Sequence, residues 1–311
     1  MSFVADSAGP HYLAGVDGGG SGTRVRLQGR DGRTLGEGEA GPSGLGQGVE
    51  QAWRHVMQGL AAAFKSAGLP PAPLSDIALG LGVAGAGVAA RHAAFLQADP
   101  GFALCVLCND GVTQLLGAHS GRAGIVVAAG TGSVAAARDE AGHTRQCGGW
   151  GYPVGDEGSG AWLGMQAMRH AHAVLDGRQA PSALATAVFD EAGTEAAALL
   201  AWCADASARR YAELAPMVFS AANAGCATAQ ALLQAAADEL ARLVHALQPG
   251  AGLAGLEQVA WPVVASGSVG VRLAPLWPAA LRARVVQPAG DSMDGALQLV
   301  RAARASAQGA D

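Results

Sequence analysis

Two short glycine turns carry hydroxyls in a pattern suited to phosphate. The first, GGGSG, covers Gly18 to Gly22 and runs into Thr23; the second, GTGS, covers Gly130 to Ser133. Turns without Cβ atoms let backbone N–H groups converge on phosphate oxygens, and Ser21, Thr23, Thr131 and Ser133 add hydroxyl donors. Gly19, Gly20, Gly130 and Gly132 are the positions where the backbone itself would approach the oxygens. Asp17, just before the first turn, is placed to hold a magnesium ion through water, because Mg²⁺ keeps much of its hydration and takes one or two carboxylates. The plainer alternative is a pair of hairpins whose glycines merely supply positive φ. It accounts for one turn better than for a repeat.

A third glycine-rich stretch, CGGWGYPVGDEGSG from Cys147 to Gly160, packs six glycines around Trp150 and the adjacent acids Asp156 and Glu157. A flexible surface loop fits poorly with a tryptophan and two acids at its centre. Other motifs compete. GxxxxGK[ST] is absent, which excludes a P-loop. Gly80-Leu-Gly82-Val-Ala-Gly85 matches GxGxxG, and Asp110 ends the following strand where a ribose-binding acid would sit, so a dinucleotide-binding dehydrogenase stays open. Against it, a Rossmann domain needs no duplicated hairpin. Cys105 and Cys108 resemble half a metal site but lie in the apolar run FALCVLC without a second pair. The five scattered cysteines read as reduced structural thiols.

The elements that would position these groups follow from periodicity. Strands are expected over Tyr12–Asp17, Thr23–Gln28 and Thr34–Ala40, joined by the first glycine turn and by Arg30-Asp31-Gly32. Helical spacing of Val49, Trp53, Val56, Leu60 and Phe64 predicts a helix closed by Gly68 and Pro70. Buried strands follow at Ile77–Val83 and Phe102–Cys108, the second running into Asn109-Asp110-Gly111. The pattern then restarts with strands at Gly124–Ala129, Val134–Arg138 and Thr144–Cys147, which suggests an internal duplication. Alanine-rich helices occupy the chain from Ala161 to about Leu247. A late strand, Val259–Ser266, ends in Gly267-Ser268, and the last helix starts at Met293.

Composition narrows the classes. At 311 residues the chain exceeds what one hydrophobic core usually serves, so two lobes are expected. Residues 1–118 would form the first, with 292–311 packing back on it, and 119–291 the second. Charged residues make up 14% and the net charge is −5, with no basic stripe, which argues against nucleic acid as a partner. No apolar run suits a membrane helix and the start lacks the pattern of a secretory signal, so no membrane partner and a cytoplasmic protein are expected.

These residues together resemble the N-acetylglucosamine kinases and the BadF/BadG/BcrA/BcrD-type activator ATPases, within the actin-like ATPase superfamily. GVDGGGSGTR looks like that family's first phosphate loop, NDG its catalytic-acid turn, AAGTGS its second phosphate loop, CGGWGYPVGDEGSG its sugar loop, and SGSVG (Ser266–Gly270) its adenosine motif. The resemblance implies a two-lobed, duplicated ribonuclease-H-like α/β fold with the active site in the interlobe cleft. It implies ATP and Mg²⁺ as cofactors, an amino sugar as substrate, Asp110 as general base, Gly267 and Ser268 as nucleotide contacts, and Gly149, Trp150 and Asp156 as sugar contacts. A homodimer is compatible with it. The family usually has Asn where Gly44 stands, which opens the sugar's identity and makes Ser43 or Gln47 a candidate substitute. The implied function is ATP-dependent phosphorylation of a hydroxyl of N-acetylglucosamine or glucosamine. An ATPase driving a partner protein is the second reading, although no clear glycine-flanked cysteine pair for its iron–sulfur cluster is present.

Overall fold

The computed structural model describes residues 9–248 and 260–308. Contacts divide the chain into two compact units. One holds the chain up to Arg122, the Asp139–Gly142 turn and everything from Gln287; the other holds Ala123–Arg138 and His143–Val286. The strands are β1 (Tyr12–Gly18), β2 (Thr23–Gly29), β3 (Thr34–Ala40), β4 (Ile77–Val83), β5 (Leu104–Cys108), β6 (Gly124–Ala129), β7 (Ser133–Arg138), β8 (Thr144–Gly148) and β9 (Val263–Ser266). The helices are α1 (Val49–Ser66), α2 (Ala89–Gln97), α3 (Asp110–His119), α4 (Gly160–Leu175), α5 (Ala183–Ala192), α6 (Ala196–Ala204), α7 (Ala208–Ala212), α8 (Ala215–Asn223), α9 (Ala227–Leu247), α10 (Gly270–Leu273), α11 (Ala279–Arg282) and α12 (Ser292–Gln308). The expected late strand begins at Val263 rather than Val259, which lies outside the described residues.

The duplication is visible in the strand order. The first sheet runs β3-β2-β1-β4-β5 and the second β8-β7-β6-β9, so each opens with an antiparallel meander and continues in parallel. Where the first sheet has β5, the second has, among the described residues, an isolated parallel bridge, Val263 to Val285. Every residue of β4 is buried, as a central strand covered on both faces must be. One face packs on α1 through Trp53, Val56, Leu60 and Phe64, and on the other Leu13 and Ala78 meet Leu297 and Val300 of α12. In the second unit α9 packs Leu233, Ala236, Leu240 and Val244 into the core shared with Ile125, Val127 and Leu163. Among the described residues no helix is long and apolar enough to cross a membrane.

The return of the last helix to the first unit is fixed by charge as well as packing. Asp291 and Asp294 cap the start of α12 reciprocally, each backbone N–H donating to the other's carboxylate (3.0 and 3.1 Å). Arg26 of β2, its side chain only 15% exposed, donates to Asp291 (2.9 Å), Asp294 (2.5 Å) and Glu37 (2.7 Å). Burial pushes the Asp291 carboxyl up, but the Asp294 N–H and the Arg26 guanidinium win and hold it below its ordinary range. A carboxylate depressed in the folded state stabilises above its unfolded pKa and loses that contribution as pH falls. Arg26→Ala should therefore cost about 1–3 kcal/mol, less than a fully buried pair because the acids are a third exposed, and should flatten the acid limb of stability. Urea unfolding at pH 7 and pH 4 measures both effects.

Candidate active site

In the first unit the parallel register sets Asp17 of β1 level with Gly82 of β4 and Gly82 level with Cys108 of β5. Asp17 and Asp110 therefore leave the sheet at the same carboxyl edge, their strands about 10 Å apart. Gly82 has no side chain, and Thr113 of α3 fills that space; a Cβ at Gly82 would lie 1.8 Å from Thr113 Oγ1. Helix α3 can then sit close to the sheet with Asp110 as its first residue. Its N-cap is Asn109, whose side chain accepts from the Gly111 N–H at 2.9 Å, so Asp110 is not needed for capping. Asp110 Oδ1 accepts from the same N–H at 3.1 Å. Among the described residues no cation pairs with Asp110. Burial pushes its carboxyl above the ordinary range, the Asp17 charge adds to this, and the Gly111 N–H offsets part of it. A half-buried, half-satisfied carboxylate of this kind is suited to accept a proton.

Asp17 itself is held by Arg24, whose Nη2 donates to Oδ2 at 2.6 Å. Arg24 is in the quoted GGGSGTR run, and its place opposite Asp17 follows from the β1–β2 register. Asp17 Oδ1 remains for a cation held through water.

The two glycine turns repeat down to their hydroxyls. In the first, Ser21 is exposed, while Thr23 is 1% exposed and its hydroxyl is bound to the Gly41 carbonyl (2.6 Å) and Ser43 Oγ (2.7 Å). In the second, Thr131 is exposed, while Ser133 is buried and donates to the Glu157 carbonyl (2.7 Å). Each turn thus presents one hydroxyl and spends the other on bracing the next loop. Thr23 and Ser133, expected as phosphate donors, thus bond their hydroxyls within the protein. Ser43, expected as a candidate sugar contact, is fully buried against Thr23. Gly44 sits beside the first turn, donating its N–H to the Gly19 carbonyl (3.1 Å). A Cβ there would meet only Gly19 and Gly20 atoms at 3.6 Å, an ordinary contact, so an Asn would fit. The Gln47 side chain donates to the Gly20 carbonyl at 3.1 Å.

The glycine density of Cys147–Gly160 has a backbone cause. Gly148, Gly149, Gly151 and Gly158 all have φ between 73° and 82°, where side chains are strained. The loop leaves Trp150 85% exposed, its ring free to meet a ligand, and Gly149 donates its N–H to the Ser133 carbonyl (3.1 Å). Asp156 adopts φ 62°, and its Oδ1 accepts from the Ser133 N–H at 3.2 Å. Through that bond its carboxylate braces the second glycine turn. Glu157 contributes its carbonyl to that brace.

The second turn borders a cavity of about 320 Å³ lined by Gly130, Thr131, Ser268, Arg209, Phe219 and Arg272, among others. Gly267 (φ 77°) packs on Ala129, where a Cβ would lie 2.3 Å from the carbonyl oxygen; it makes room for the loop, and Ser268 faces the cavity. The arginines and the phenylalanine carry no motif and were not among the expected site residues. Burial pushes the Cys105 and Cys108 thiols up to about 12. Among the described residues no cluster of three or more His, Cys, Asp or Glu could hold a metal. The GxGxxG stretch is no dinucleotide turn, because Gly80 and Gly82 lie inside β4.

The chain is 30% identical over 287 residues to a glucosamine kinase of Vibrio cholerae serotype O1, covering 92% of this chain and 95% of that protein. A Chromobacterium violaceum protein assigned as an N-acetylglucosamine kinase has a crystal structure 44% identical in sequence, with TM-score 0.84 over 94% of this chain and 99% of that one. A Streptomyces griseus glucokinase of the ROK family, 15% identical with TM-score 0.52 over 94% of this chain and 99% of that one, shares the fold. Residues 14–279 match the BadF/BadG/BcrA/BcrD ATPase family, and the chain belongs to it.

Proposed function

We propose that the protein transfers a phosphoryl group from ATP to a hydroxyl of an amino sugar, glucosamine or N-acetylglucosamine. The observation that carries this reading is Asp110: a carboxylate with no cationic partner among the described residues, raised by burial, two residues beyond Cys108, which the register sets level with Asp17. The relatives named for glucosamine and N-acetylglucosamine supply the substrate class. In the reaction the sugar oxygen bonds to the terminal phosphorus of ATP, the bond to ADP breaks, and the hydroxyl proton passes to Asp110. Since Oδ1 already accepts from Gly111, Oδ2 is the oxygen that takes it. Ser21 and Thr131, with the backbone of Gly19, Gly20, Gly130 and Gly132, bind phosphate oxygens, and Gly149 and Trp150 contact the sugar. Asp17 would hold Mg²⁺ through water, and the ion would neutralise charge developing on the transferred group.

Gly44 decides between the sugars. An Asn side chain there would add an amide beside the first turn, worth about 1–3 kcal/mol if it pairs with a polar group otherwise left unsatisfied. The expected result is faster phosphorylation of unacetylated glucosamine by the wild type and a shift toward N-acetylglucosamine in Gly44→Asn. Steady-state ADP release with each sugar checks this. If neither sugar accelerates ADP release in either protein, the kinase reading fails and a partner-driving ATPase takes its place.

A further inference from the structure

We infer that Arg272, stacked on Phe219, is the platform on which the nucleotide base rests; this deepens the kinase reading and depends on it. The Arg272 guanidinium carbon lies 3.6 Å from the centre of the Phe219 ring, directly over its face. Phe219 is 5% exposed and fixed in the core of the second unit, whereas Arg272 is exposed. A planar guanidinium has two faces, and here one is covered by a phenyl ring that sets its orientation. Arg272 and Phe219 both line the cavity that also holds Thr131 and Ser268, and the uncovered face is the one left for a ligand there. Among the described residues no carboxylate pairs with Arg272. A rigid, delocalised, weakly hydrated plane in that position suits the face of a heteroaromatic ring. The alternative use of an arginine beside a phosphate turn is to bind phosphate as a charge. The stacking on Phe219 favours the base, because a phosphate ligand needs its N–H edge free and gains nothing from a ring behind its face.

The two uses differ in what they recognise. Stacking acts on adenosine and ATP alike, requires the plane, and is lost in lysine; phosphate binding acts on ATP far more than on adenosine and is kept by lysine. Calorimetric binding of ATP and adenosine to the wild type, Arg272→Ala, Arg272→Lys and Phe219→Leu separates them. The expected result is a loss of about five- to thirty-fold for both ligands in both arginine variants, with a smaller loss in Phe219→Leu. Unchanged binding in Arg272→Ala, or a loss confined to ATP and restored by lysine, overturns the platform and leaves the kinase reading standing. Failure of the wild type to bind ATP overturns both. Arg272 is exposed, so its variants keep the fold, and a thermal melt verifies the same for Phe219→Leu.

Discussion

Asp110→Asn should lower kcat by about 10² to 10⁴, because the amide keeps the shape of the carboxylate but cannot accept the sugar proton. ATP affinity should hold within a few-fold, since Asp110 is not among the phosphate-binding groups. The pH dependence is a second readout of the same carboxylate. Burial and the Asp17 charge raise the Asp110 pKa, so the acid limb of kcat/KM should lie above the ordinary carboxylate range, activity rising as pH climbs through it. Stability moves the other way. A carboxyl raised in the folded state contributes most below its unfolded pKa, and that contribution is lost as pH rises through the folded value. The variant should therefore be no less stable than the wild type at neutral pH, within about 1 kcal/mol, the lost interaction with the α3 dipole being small. Retained kcat with a marked drop in stability would make Asp110 a structural residue. The Asn109 cap argues against that outcome, since it already satisfies the first turn of α3.

What the sequence disclosed and what it withheld divide along one physical line. The strands Thr34–Ala40, Ile77–Val83 and Gly124–Ala129 fall where strand-forming runs, two of them continuously apolar, and their bounding turns put them, because local sterics and burial decide both. Two of the four turn hydroxyls, those of Thr23 and Ser133, point inward, and a signal for this exists. Thr23 shares parity with Val25 and Leu27, and Ser133 with Ala135 and Ala137, all of them buried. Successive side chains of a strand alternate faces, so both hydroxyls had to point inward with those residues. Asp156 carried no such signal: its attachment to Ser133 crosses 23 positions and depends on a left-handed residue in a loop. Arg272 and Phe219 belong to separate helices, and only packing brings them together. The GxGxxG match misled for a related reason, since a regular expression does not say whether its glycines turn the chain or merely leave space.

Gly80→Ala should destabilise the first unit by about 3 kcal/mol or more, at the upper end of what overpacking costs. A Cβ at Gly80 would lie 2.0 Å from the Ala296 carbonyl oxygen, 2.9 Å from its carbon and 3.1 Å from Val300 Cβ. The first two are backbone atoms of α12, which no rotamer change can move aside, so the helix itself must shift. It cannot shift alone. Gly15 admits the Met293 carbonyl, Gly117 of α3 admits that of Asp291, and Gly295 of α12 admits that of Thr113, each at a distance that leaves no room for a methyl group. Helices α12 and α3 are locked together, and α3 begins at Asp110, so displacement at Gly80 reaches the proposed base. The expected outcome is a melting temperature lower by about 6–12 °C and a reduced kcat at temperatures where the variant is still folded, with ATP binding retained. Gly46→Ala is the control, because a Cβ there meets only Arg91 Nη1 at 3.8 Å and should cost less than about 0.5 kcal/mol. Had the glycines of GLGVAG served a dinucleotide, Gly80→Ala would weaken ligand binding in a stable protein. Normal stability in this variant would show that α12 does not pack on β4 as closely as the structure has it.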